Sequence, residues 1–323
     1  MTRVGDVGEE ALLAQVFPLL PAGAATLLGP GDDAAVLAAP DGRVVVTTDV
    51  LVEDRHFRRG WGTGTDLGWR AAMQNLADIA AMGARPTAIV VGLVLPGDVE
   101  VAWVLDLARG LGAACGPHGV GVVGGDLTAG DGVVVAVTAH GDLEGREPVR
   151  RDGARPGDVV ALAGSVGRAA AGLALLSART PLEEGSELAG LVSAFLRPQP
   201  PLELGRLAAD AGASAMMDVS DGLLRDAGRI GRASRVRLDV HASALSQWCA
   251  ALAGAAAALG ADPLTWVLTG GEDHGLLATF PPGIDLPRGF VPVGRVDATG
   301  EPGVVVDGEP YVGVPGWDHF GGR

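Results

Sequence analysis

Acidic residues recur where apolar runs end. Val44-Val-Val-Thr47-Thr48-Asp49, Val120-Gly-Val-Val-Gly-Gly125-Asp126, Ala215-Met-Met-Asp218-Val-Ser220-Asp221 and Trp266-Val-Leu-Thr-Gly-Gly-Glu272-Asp273 all have this form. Two more acidic sites are Gly29-Pro-Gly-Asp32-Asp33 and Asp78, the latter inside Met73-Gln-Asn75-Leu-Ala-Asp78-Ile-Ala-Ala-Met82. A carboxylate beside apolar strand residues tends to be partly buried, and burying it without a counter-charge costs several kcal/mol. The 24 basic residues are all arginine, and few lie near these acids. A divalent cation is therefore the natural counter-charge. Asp oxygens that leave positions open for phosphate oxygens suit Mg²⁺, and adjacent glycines let backbone N–H groups approach phosphates.

Each acid also has a plainer reading. An Asp after a strand commonly forms a turn or caps a helix, and Asp218-Val-Ser-Asp221 before Gly-Leu-Leu could be a capping arrangement. Arg70, Gln74 and Asp78 fall four apart, as on a solvated helix stripe, although Leu76, Ile79, Ala80 and Ala81 flank Asp78. Six such sites in one chain weaken the plain reading of them all.

The elements that must carry these acids follow from periodicity. Strands are expected at Val44–Thr48, Thr87–Leu95, Val120–Val123, Val133–His140, Val159–Ala163, Trp266–Leu268, Leu276–Phe280 and Val291–Val296. Helices are expected at Glu9–Leu20, Thr65–Met82, Val99–Ala114, Val166–Ser177, Pro201–Ala211, Leu223–Ala233 and Ser243–Leu259. The alternation predicts a mixed α/β (α+β) architecture. The turn-rich stretch Glu144–Asp158 suggests two domains, residues 1–146 and 147–323.

Composition excludes several chemistries. With 24 basic and 39 acidic residues the net charge is −15, which argues against nucleic acid or an anionic membrane as partner. The absence of lysine removes the P-loop lysine, the protein-kinase strand lysine and Schiff-base catalysis. Cys115 and Cys249 lack metal or redox spacing and are expected as free thiols. Gly119-Val-Gly-Val-Val-Gly124 matches a dinucleotide string but leads into Gly-Asp, not into a helix. His118, His140 and His241 show no metal spacing. Met1–Glu10 is polar and acidic, unlike a signal peptide, and apolar stretches such as Ala250–Ala261 are too short to span a bilayer. A soluble cytoplasmic protein is expected.

Taken in order, the motifs resemble the thiamine-monophosphate kinase family. They are Gly31-Asp32-Asp33-Ala-Ala, Thr47-Thr48-Asp49-Val-Leu-Val-Glu53-x-x-His56-Phe57, Asn75-Leu-Ala-Asp78-Ile-Ala-Ala-Met-Gly83, Gly124-Gly125-Asp126, Asp218-Val-Ser220-Asp221-Gly222, Gly270-Gly271-Glu272-Asp273 and Trp317-Asp318-His319-Phe320. Any one is weak; the ordered set, from residue 29 to residue 320, is specific. The wider superfamily includes aminoimidazole ribonucleotide synthetase and selenophosphate synthetase.

The resemblance implies ATP-dependent conversion of thiamine monophosphate to thiamine diphosphate. It implies an amino-terminal α/β domain that dimerises through its strands into a barrel, and a carboxy-terminal α/β domain that completes the site. Asp33, Thr47, Thr48, Asp49, Asp78, Asp126, Asp218 and Asp221 carry over as ligands of several Mg²⁺ ions. Gly125, Asp126, Arg151 and Ser220 carry over as nucleotide contacts, and His56, Glu272 and Trp317 as contacts to thiamine monophosphate. Departures are Ala77 for a frequent Ser, Asp54 for Gly, His274-Gly275 for Tyr-Glu, and Trp317 for Tyr.

The implied acceptor is a phosphate whose second pKa is about 6, so it is already mostly a dianion at neutral pH. No general base is then needed; charge neutralisation and in-line positioning are. Arg151 is the expected phosphate donor of hydrogen bonds. A thiazolium ring is a fixed cation that Glu272 could balance and Trp317 could stack on. Two other readings are a superfamily synthetase, which would want a Cys or Lys near the start, and a non-catalytic magnesium-nucleotide binding protein.

Overall fold

In the computed structural model, which describes residues 2–30 and 34–318, the chain divides into two compact units. The first comprises residues 1–79 and 84–145, the second 80–83 and 146–323. The proposed ligand Asp33 and residues His319 and Phe320 lie outside the described residues.

In the first unit β1 (Thr26–Leu28) and β2 (Val36–Leu37) make a small antiparallel pair. A four-stranded sheet follows, from β3 (Val45–Val52), β4 (Arg85–Leu95), β5 (Gly121–Ala129) and β6 (Val134–Asp142), in the order β3-β6-β4-β5. Only the β4–β5 pairing is parallel. The helix Gly64–Ala81 lies on one face: Ala71, Ala72, Leu76 and Ile79 are fully or almost fully buried, and Thr47 of β3 bonds Asp78 of the helix. On the other face Val46 and Val50 are 61% and 46% exposed. The pleat produces this split, since successive side chains alternate between faces.

The second unit is built on a six-stranded sheet. Its strands are β7 (Val159–Ala163), β8 (Ala215–Val219), β9 (Arg237–Val240), β10 (Gly275–Phe280), β11 (Phe290–Asp297) and β12 (Gly303–Val306), in the order β12-β9-β11-β7-β10-β8. Both faces are covered, so β7, β8 and β10 are buried along nearly their whole length rather than on alternate residues. Val160, Leu162, Met217 and Val219 enter one core; Ala161, Ala163, Met216 and Phe280 enter the other. Phe280 and Phe290 meet edge to face at 5.3 Å. Arginine forks tie the surface, Arg146 on Asp210 and Arg237 on Asp297.

Some expectations need correction. Trp266–Leu268 is not a strand but part of the helix Pro263–Thr269. Asp262 caps that helix, its Oδ1 accepting from Leu264 N–H at 3.0 Å, and Pro263 opens it with its pre-set φ. The expected helix Ser243–Leu259 is broken into a 3₁₀ turn, Ala242–Leu245, and two short helices, Ser246–Ala250 and Ala253–Leu259. The Ser186-capped helix Glu187–Leu196 and strands β9 and β12 were not expected from the pattern. Asp49 and Asp126 do not follow their strands but sit within them, because pairing continues past the acid. No single helix among the described residues is long and apolar enough to cross a membrane.

Candidate active site

In the first unit, strand parity decides which acids meet. Thr47 and Asp49 lie on the helix-covered face of β3. The Thr47 hydroxyl donates to Asp78 Oδ2 at 2.8 Å. Thr48 stands on the opposite face, where its hydroxyl donates to the Val137 carbonyl at 3.0 Å and accepts from the Thr138 hydroxyl at 3.2 Å. The stripe carrying Asp78 is not solvated: Arg70 and Gln74 are 3% and 6% exposed, so Asp78 rises from a buried polar row.

Asp126 lies on β5, the other outer strand. Pairing places Asp49, Val137, Val91 and Gly125 in one row and puts Asp126 in the next, beside Gly92. Three strand spacings separate β3 from β5, about 14 Å. The first unit therefore does not gather Asp126 with Asp49 and Asp78. A Cβ on Gly125 would lie 2.0 Å from the Val91 carbonyl, so strand contact alone already demands glycine there.

His56 follows β3 in a fastened loop. Its Nδ1 accepts from Val52 N–H at 3.0 Å, which places the proton of the neutral ring on Nε2. Asp54 has φ 62°, the region glycine enters without strain. The guanidinium groups near His56 are engaged: Arg59 bonds Glu53, and Arg58 lies 4.7 Å over the Trp61 ring.

In the second unit β8 ends in Asp218-Val-Ser-Asp221 and β10 begins after Gly270-Gly271-Glu272-Asp273. Their antiparallel pairing, Val219 with Gly275, sets the two loops side by side. Glu272 N–H donates to the Ser220 carbonyl at 2.8 Å. A Cβ on Gly271 would lie 2.1 Å from that same carbonyl. Glu272 and His274 both have positive φ, 71° and 54°. His274 Nδ1 is 3.1 Å from Asp218 Oδ2, and both side chains are buried. Arg151 is exposed, and its carbonyl accepts from the Ser234 hydroxyl. Trp317 is 37% exposed, and its N–H donates to the Asp221 carbonyl at 2.8 Å.

Two functional neighbours escaped the sequence reading. Asp226 is wholly buried; its Oδ2 accepts from Asp221 N–H at 3.0 Å, and Arg229 bridges Asp226 Oδ1 and Asp221 Oδ2 at 2.6 Å each. Burial and the nearby Asp218 push the Asp226 carboxyl up to about 7, against the pull of Arg229. The signal was present in the spacing: Asp226 and Arg229 fall three apart on the expected helix Leu223–Ala233. Among the described residues no three His, Cys, Asp or Glu side chains converge as a metal cluster.

Asp273 accepts from Ala169 N–H at 3.2 Å, at the start of the helix Arg168–Ser177. Burial raises its pKa from 3.8 to about 6. A raised carboxyl favours the protonated fold, so this contribution is full below about pH 4 and is lost as pH climbs through about 6. The loss is of order 3 kcal/mol at about 1.4 kcal/mol per unit. Asp273→Asn should therefore gain stability relative to the parent as pH rises. Urea midpoints at pH 4.5 and 7.5 check this; an equal difference at both would exclude the effect.

This frame is that of the AIR synthase related proteins: the family model of their N-terminal domain matches residues 31–143, and that of their C-terminal domain residues 155–279. A thiamine-monophosphate kinase of Mycobacterium tuberculosis is 49% identical over 316 residues, covering 98% of this chain and 92% of that one. Another, of Corynebacterium glutamicum, is 43% identical over 98% of this chain and 95% of its own length. A solved structure described as AaThiL complexed with AMPPCP and TMP superposes with a TM-score of 0.78 at 32% identity, covering 99% of each chain. The chain belongs to the thiamine-monophosphate kinase family.

Proposed function

We propose that this chain catalyses ATP-dependent phosphorylation of thiamine monophosphate to thiamine diphosphate. The observation that carries the reading is the full-length likeness to a structure described with an ATP analogue and TMP, joined to the motif residues at their places. The acceptor phosphate is its own nucleophile, and no residue is assigned as base.

The donors offered by the acids are hard oxygens, which fit Mg²⁺. Asp49, Asp78, Asp126 and Asp218, with Thr47, Thr48 and Asp33, would hold the ions. Asp221 fits less well, because Arg229 already engages one of its oxygens. Bound there, Mg²⁺ supplies charge neutralisation to the phosphates. Asp78 orients through Thr47; Arg151, Gly125 and Ser220 serve nucleotide phosphates and His56 Nε2–H serves the acceptor. Glu272 balances the thiazolium, and the open Trp317 ring supplies a stacking face.

Val46, Thr48 and Val50 leave an apolar sheet face uncovered, which supports a homodimer formed through it. The acidic balance supports an enzyme without nucleic-acid partners. A coupled assay with ATP, magnesium and thiamine monophosphate tests the activity. ADP release that depends on the thiamine compound is expected; ATP binding without transfer would overturn it. Trp317→Ala is expected to raise KM for thiamine monophosphate about tenfold, at the loss of roughly 1–2 kcal/mol of stacking, with KM for ATP unchanged. An equal rise in both would return Trp317 to a packing role.

A further inference from the structure

Resting on that reading, we infer that Arg225 is a positioning residue that clasps the carboxy-terminal segment onto the Asp-Val-Ser-Asp loop and thereby sets Trp317 for the substrate ring. Arg225 lies in the first turn of the helix Leu223–Ser234, where backbone N–H groups lack intrahelical acceptors. Its N–H donates to the Pro315 carbonyl at 3.1 Å. Its Nη2 reaches Asp318 Oδ2 at 3.2 Å, and its Nε lies 3.9 Å from Asp221 Oδ2. One residue therefore grips the chain on both sides of Trp317, while the Trp317 N–H is held by Asp221.

Gly316 shows how closely the segment is seated. A Cβ there would stand 2.2 Å from the Asp221 carbonyl oxygen and 2.9 Å from Arg225 Cβ. The backbone of residues 315–318 thus rests on the loop with no side chain between them. The chain is thus held through the Pro315 carbonyl, the Trp317 N–H and the Asp318 side chain, so Trp317, 37% exposed, is presented to ligand from an anchored backbone. The same arginine faces Asp221, so the loop proposed to serve metal and the residue proposed to serve thiamine share one anchor.

Arg225→Gln keeps the backbone bond to Pro315 and removes the ion pair to Asp318. It is expected to raise KM for thiamine monophosphate about five- to twentyfold, with KM for ATP within about twofold and kcat changed less. Calorimetric binding of thiamine monophosphate without nucleotide should weaken by the same factor, and Tm should move by no more than about 2–4 °C. Asp318→Asn should give the same split, the double variant should add little to either single change, and Arg225→Lys should restore part of the affinity. Unchanged KM and binding in both single variants would overturn the inference, as would equal losses for both substrates. A parent protein that does not phosphorylate thiamine monophosphate would overturn the proposed function instead.

Discussion

Asp49→Ala is expected to lower turnover at least about a thousandfold, the scale on which electrostatic stabilisation of a transferring phosphoryl group depends. Asp49 is half-buried on the helix-covered face of β3, the same face that carries Thr47 and its partner Asp78. Asp49 is only half-buried, so the fold should be kept. The measurement is initial rate against magnesium concentration, paired with thermal unfolding. A variant that turns over normally would remove Asp49 from metal binding; a variant that unfolds would make it structural. Asp49→Asn, which keeps one neutral oxygen ligand, should recover little, because the ions need charge as well as a lone pair.

The second large effect is expected from a residue with no side chain. Gly271→Ala places a methyl group 2.1 Å from the Ser220 carbonyl oxygen, and that oxygen also accepts Glu272 N–H. Backbone sits on both sides of the contact, so it cannot rotate away as a flexible side chain would. The loop bearing Ser220 and the loop bearing Glu272 must separate, and the proposed nucleotide contact and thiamine contact move together. Both KM values should rise and kcat fall at least about a hundredfold, since displacement of about 1 Å costs that much. Tm should fall too, by an amount that Gly271→Ser repeats. A variant with wild-type kinetics would mean that the two loops move freely of each other.

How far these places were legible in the sequence differs from element to element. The long valine runs announced β4, β6 and β7, since a β-branched stretch bounded by glycine or proline has few other solutions. Trp266–Leu268 misled because three apolar residues fit either period; the decisive information was Asp262-Pro263 upstream, a helix start. The acids were visible as types, but their grouping was not. Whether Thr47 or Thr48 faces the helix depends on strand parity, and the distance from Asp49 to Asp126 depends on two intervening strands that arrive later in the chain. Arg225 looked like an ordinary solvated helix residue, because its acidic partner lies ninety-three residues further on, at Asp318.

Every basic side chain of the described fold is a guanidinium or an imidazole, and the pairs at Asp210, Asp221, Asp226 and Asp297 are all made by arginine. An ammonium partner would surrender its proton near pH 10; a guanidinium does not in any aqueous buffer the chain would survive. Burial holds the Cys115 thiol up at about 12 and raises Cys249 as well. Base that strips an ammonium therefore leaves the cations of these pairs charged. The ionic ties that fasten its loops should outlast alkaline conditions that dismantle lysine-bridged proteins.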